Sequence, residues 1–185
     1  MNKFTAAAAL ALPITLALGL SAPVFAAGSS DSAEPKPTET TMKCEGVQVW
    51  DEKEKKCVDP KESNLGDDTL YDAVRELAFA GRYLDAMGVM DAMSDQNDDR
   101  VLTYKGFTNR KLGNIDVAIV FYQKAIDQNP NNILARSYMG QGLMGQGNKI
   151  AAVTQLREIN ARGGADTWAA LSLSNAITTG VTYSN

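Results

Sequence analysis

The sequence predicts an all-α chain set behind an export leader and a small disulfide-closed β-hairpin, and three observations carry that prediction. From Asp67 onward apolar residues recur at steps of three and four, with almost no strand alternation, as helices with one buried face require. Gly81, Gly113 and Gly147 recur at intervals of 32 and 34 residues, and each stands five residues before an alanine, Ala86, Ala118 or Ala152. The two cysteines, Cys44 and Cys57, enclose alternating Val47 and Val49, then Trp50 and a charged tip from Asp51 to Lys56.

Taken in order, the first 26 residues read as a signal peptide. Lys3 supplies the positive end, Ala6 to Leu20 an apolar run, and Val24-Phe25-Ala26 the small residues that precede cleavage, placed after Ala26 or Ala27. The alternative is an uncleaved anchor, because Phe4 to Ala27 carries no charge and is nearly long enough to span a bilayer. Residues 27–42 read as a disordered linker: they are rich in Ser, Thr, Pro and Glu and hold too few apolar side chains to offset the entropy of ordering. Residues 43–60 read as the hairpin. In an oxidising compartment two thiols this close pair, and the bridge contributes on the order of 3 kcal/mol to a ribbon that would otherwise be marginal. Whether the hairpin packs on the first helices or stands alone is open at this stage, with packing favoured.

The helical part divides into three segments, 67–98, 99–132 and 133–164. In each, a bulky residue lies nine positions after the glycine: Met90, Tyr122 and Leu156. Seven positions before it stand Val74, Gly106 and Gly140, the last two small enough for close helix contact. Glycine suits the left-handed turn that ends a helix, and the small residues let two helices approach. Pro130 stops a helix and drives Asn129 out of the helical region. Gly142 and Gly145 lie outside this scheme and cost roughly 1 kcal/mol each against alanine, which points to a soft third helix pair or a close contact. Asp166 or Thr167 can N-cap a final helix over 165–179, with Trp168, Leu171, Leu173 and Ile177 covering the open end of the stack. Residues 180–185 form a flexible tail.

These marks resemble the tetratricopeptide repeat family, with the middle segment the best fit through Gly106, Gly113, Ala118, Tyr122, Ala125 and Pro130. The first segment is two residues short and lacks the proline; the third has Ile159 and Gly164 where alanine and proline are usual. The resemblance implies a right-handed solenoid of three helix hairpins with a C-terminal capping helix. It also implies a concave face, lined by the first helix of each hairpin, that holds peptides. Carried over position by position, that groove comprises Tyr71, Arg75, Thr103, Phe107, Arg110, Ser137 and Gln141, with Phe107 as an exposed anchor. Arginines, aromatics and hydroxyls suit an acidic peptide or a C-terminal carboxylate. The lysine and asparagine set of the family's carboxylate-clamp members is absent.

Composition removes several function classes. The chain holds 185 residues, 44% hydrophobic and 22% charged, with a formal charge of −4 that becomes −5 when Lys3 leaves with the leader. That balance argues against nucleic acid as a partner and against adhesion to anionic membranes, and no stable membrane insertion is expected once the leader is cleaved. The chain has no histidine, which removes histidine general bases, Ser-His-Asp triads and histidine metal ligands. Asp95 to Asp99 mimics the start of a calcium loop, but Arg100 replaces the required glycine and Gly106 the bidentate glutamate. The closely spaced glycines of Met139 to Asn148 lack the Gly-Lys-Ser/Thr ending of a phosphate loop. No cofactor or metal is expected. The resulting expectation is a nonenzymatic protein of the Gram-negative periplasm that binds a protein or peptide, for example as an envelope assembly scaffold. The alternative is a cell-wall or glycan binder that works through Trp50, with the helices as scaffold.

Overall fold

A computed structural model describes residues 35–182. The leader, the first part of the linker and the last residues of the tail lie outside this range. Among the described residues there are eight helices and one two-stranded antiparallel sheet. α1 (Glu39–Lys43) leads into β1 (Val49–Asp51) and β2 (Lys56–Val58). Three antiparallel helix pairs follow: α2 (Asp67–Phe79) with α3 (Tyr83–Met90), α4 (Asp99–Lys111) with α5 (Ile115–Gln128), and α6 (Ile133–Gly145) with α7 (Lys149–Ala161). α8 (Trp168–Thr179) closes the series. The first helices also touch one another in sequence, α2 to α4, α4 to α6 and α6 to α8.

One turn links each pair. Gly81, Gly113 and Gly147 have φ of +78°, +88° and +76°, the left-handed region in which a Cβ is strained. In each case the next residue's amide reaches back over the turn, as from Asn114 N to Asn109 O at 2.9 Å, so the last carbonyls of the helix are satisfied. Gly163, with φ of +78°, repeats the same turn after α7. Asn129 is extended ahead of Pro130 and ends α5. Asp98 caps α4 by accepting from Arg100 N at 2.8 Å, and Thr167 caps α8.

The small residues sit where the helices meet. Ala86, Ala118 and Ala152 are fully buried. A Cβ on Gly106 would lie 2.5 Å from the Tyr122 ring of the paired helix, and one on Gly140 would lie 2.6 Å from Leu173 of α8. The Gly140 contact therefore seats the last helix rather than the partner within the hairpin. Leu173 is buried and Ile177 half-buried beneath α8, but Leu171 points to solvent at 60% exposure and covers nothing.

The hairpin is part of the same core. Cys44 and Cys57 are joined, Val49 is 1% exposed within the main hydrophobic cluster, and the Val47 side chain packs on Gly88 of α3. Arg82 fixes the approach, its guanidinium donating to Cys44 O at 3.0 Å and Gly46 O at 2.7 Å.

The linker reading fails at its C-terminal end, where residues 39–43 are helical. Apolar burial is not the cause. Glu76 of α2, 6% exposed, accepts from Thr38 N and Oγ1, both at 2.6 Å, from Thr41 N at 3.0 Å and from Thr41 Oγ1. Buried Thr40 accepts from Trp50 N at 3.2 Å. Charge-assisted hydrogen bonds order a segment whose composition alone reads as unstructured.

A candidate cation–aromatic cleft on the inner face

The seven groove positions do lie on the first helices, but none forms an open groove, since all are between 0% and 9% exposed. Ser137 donates to Ala169 O at 2.7 Å and Gln141 Nε2 to Ser172 Oγ at 3.1 Å, so both tie α6 to α8. Thr103 accepts from Asn132 Nδ2 at 3.0 Å, holding α4 to the start of α6. Tyr71 packs edge-on against Tyr104 with centroids 5.7 Å apart, under the Arg100 guanidinium at 4.9 Å. Arg75 is buried against the Tyr71 ring, 3.7 Å from Asp72.

Phe107, expected as an exposed anchor, is 4% exposed and sits inside a closed ring of aromatics. Phe79 of α2 stacks on Phe107 of α4 at 5.8 Å; Phe107 meets Tyr138 of α6 at 4.8 Å; Tyr138 meets Trp168 of α8 at 6.3 Å. Trp168 returns to Phe79 at 5.9 Å. Four helices thus close on one another through four rings, and the first helix of the three pairs touches the last helix of the chain. Such contacts are worth roughly 0.5 to 1.5 kcal/mol each beyond the area they bury.

What remains is a small cleft lined by Phe79, Phe107, Tyr138 and Trp168 with two consecutive cations of α4, Arg110 and Lys111, and with Gln141. Its cavity is about 10 Å³, the space of a single water. Arg110 and Lys111 both lie 5.5 Å from the Phe107 ring centre. Arg110 is 9% exposed, and its Nε and Nη2 atoms make no hydrogen bond. Lys111 is half-buried, and burial, reinforced by the adjacent Arg110 charge, pushes its ammonium down to about 8. Burial raises the neighbouring Tyr122 hydroxyl to about 12, against the pull of Arg110, so the ring stays neutral. At Gly142 a Cβ would lie 3.4 Å from both Arg110 Cδ and Ile119 Cδ1, an ordinary contact distance, so packing does not demand glycine there.

Sequence reasoning named Arg110 and missed Phe79, Lys111 and Trp168 as its neighbours. Phe79 stands four residues beyond Arg75, as Phe107 does beyond Thr103, and that shared face was readable. Trp168 was read as an end cover; its ring lies against Phe79 of α2 and Tyr138 of α6, and nothing in the sequence brings α8 round to α2.

The hairpin offers less. Lys43 Nζ lies over the Trp50 ring at 4.6 Å, and the indole is half-buried, so a sugar would have to displace a cation already in place to stack there. Asp98 and Asp99 of the calcium-like stretch act structurally: Asp98 caps α4, and Asp99 accepts from Asn129 Nδ2 at 2.9 Å and Asn132 Nδ2 at 2.6 Å. Among the described residues no group of three metal-type side chains converges, and no helix is long and apolar enough to cross a membrane. Comparisons with protein families, curated proteins and solved structures found no match for this chain.

Proposed function

We propose that the chain is a nonenzymatic binding protein, a tetratricopeptide-like right-handed stack of three hairpins with α8 as its cap, that recognises an acidic segment of a protein partner at the Arg110–Lys111 cleft. The observation that carries this reading is a guanidinium nine-tenths buried, with two nitrogens lacking acceptors, beside a half-buried ammonium in an aromatic mouth. A carboxylate suits this cationic mouth, pairing with Lys111 at the rim because the 10 Å³ beneath it holds no more than one water, and Phe79 and Trp168 would pack on the side chain that brings it. Support for the stack comes from the recurrent glycine turn and from first helices that contact one another in series. The site differs from the open groove implied by the family resemblance, because of its lining residues only Lys111 and Trp168 are more than marginally exposed.

The leader and the disulfide support residence in the periplasm of a Gram-negative bacterium, with a scaffold role in envelope assembly. N-terminal sequencing of the exported protein should begin at Ala27 or Gly28, and a retained Met1 would contradict export by cleavage. Binding is tested by titrating hexaglutamate against hexalysine while following Trp168 fluorescence. Hexaglutamate should bind and hexalysine should not, and Lys111→Glu should abolish the response. Equal response to both peptides would count against the cleft.

A further inference from the structure

We propose that the floor of this cleft is an anion site in its own right, sized for a halide such as chloride and held by the Arg110 guanidinium. The inference uses the cleft described above but does not depend on a peptide partner. Arg110 is buried, and the ion pairs of the described residues leave it out: the other buried arginines reach carboxylates, Arg75 at Asp72 and Arg136 at Glu158, at 3.7 and 3.9 Å. A buried cation without a counter-charge is costly, far more so than an unpaired neutral group. A water in the cavity could accept from Nε or Nη2, but it would leave the charge uncompensated and the adjacent Lys111 ammonium repelled. A halide of about one water's size answers both, whereas gluconate cannot enter 10 Å³.

Gln141 lines the cleft with its amide already committed: Nε2 donates to Ser137 Oγ at 3.4 Å and to Ser172 Oγ at 3.1 Å, and the Ser137 hydroxyl, spent on Ala169 O, needs that donor. Gln141 therefore adds no donor to the site, which rests on Arg110.

The test compares melting of the mature protein in sodium chloride and in sodium gluconate at matched ionic strength and pH 7, without peptide. The melting temperature should climb with chloride along a one-site saturation curve and stay level in gluconate. Arg110→Met should remove the difference; should that variant not fold, crystals of the wild type grown in sodium bromide give the answer through anomalous scattering. A bromide peak within hydrogen-bond reach of Arg110 Nε or Nη2 supports the site. Identical melting in the two salts, or a water with no anomalous signal at that position, overturns it. Failure of hexaglutamate to bind would leave this result standing, and an absent halide would leave peptide binding to be judged on its own titration.

Discussion

Phe107 shows how much one side chain can carry when four helices converge on it. It touches rings from α2, α3, α4 and α6 and supports both cleft cations. Phe107→Asp therefore should not give a folded, binding-deficient protein. Truncation of a buried Phe alone costs about 3 to 5 kcal/mol, against a whole-domain stability of about 5 to 15, and a buried carboxylate adds to it. Circular dichroism should show loss of the cooperative transition, and a native-like melt would place Phe107 outside the core. Gly106 offers a milder test. Alanine gains about 1 kcal/mol in helix propensity but drives a methyl into the Tyr122 ring, and overpacking of that kind costs roughly 1 to 3 kcal/mol. A net drop in urea midpoint is expected. At this scale the contact residues were legible, because Ala86, Ala118 and Ala152 are small at fixed intervals for steric reasons. Phe107 was not, because a periodic pattern says which face of a helix a residue occupies and not what lies across from it.

Among the elements, α1 is held by one carboxylate. Glu76 collects hydrogen bonds from the backbone and side chains of Thr38 and Thr41, and the neighbouring Thr40 reaches β1. Glu76→Ala should release this segment without melting the helix pairs, since α2 keeps Leu70, Val74 and Leu77 in the core. Hydrogen exchange should accelerate at the amides of Thr41 to Cys44 and remain slow in α4 and α6; unchanged protection would mean that α1 is held by other contacts. The polar composition of residues 27–42 hid this, because an anchoring acceptor some 35 residues away leaves no local mark. The hairpin was more readable: alternating valines between two cysteines give the ribbon, and its docking followed only from Arg82 and Gly88, which the hairpin's own sequence does not contain.

For the whole molecule, the decisive feature is that rings from α2, α4, α6 and α8 close on one another and leave a small cationic opening. That opening should respond to pH with a definite sign. Lys111 is charged below about 8 and neutral above it, so affinity for hexaglutamate should fall as pH rises from 7 to 9. Conversely, a bound carboxylate favours the ammonium and raises its pKa, so binding near pH 8 should take up protons, measurable as buffer-dependent heats in calorimetry; affinity flat across that range would exclude Lys111 from the site. Helix order, turns and the closing helix could be read from the sequence because they depend on local steric rules, whereas the contact of α2 with α8 joins elements far apart in the chain and leaves no local mark. The most direct measurement is a nuclear Overhauser spectrum of the partner-free protein between the Phe79 and Trp168 rings, whose centres lie 5.9 Å apart. Strong cross-peaks between the two rings are predicted; their absence, with Phe79 and Trp168 both freely exposed to a soluble paramagnetic probe, would mean an open concave surface and would contradict the closed face on which the cleft depends.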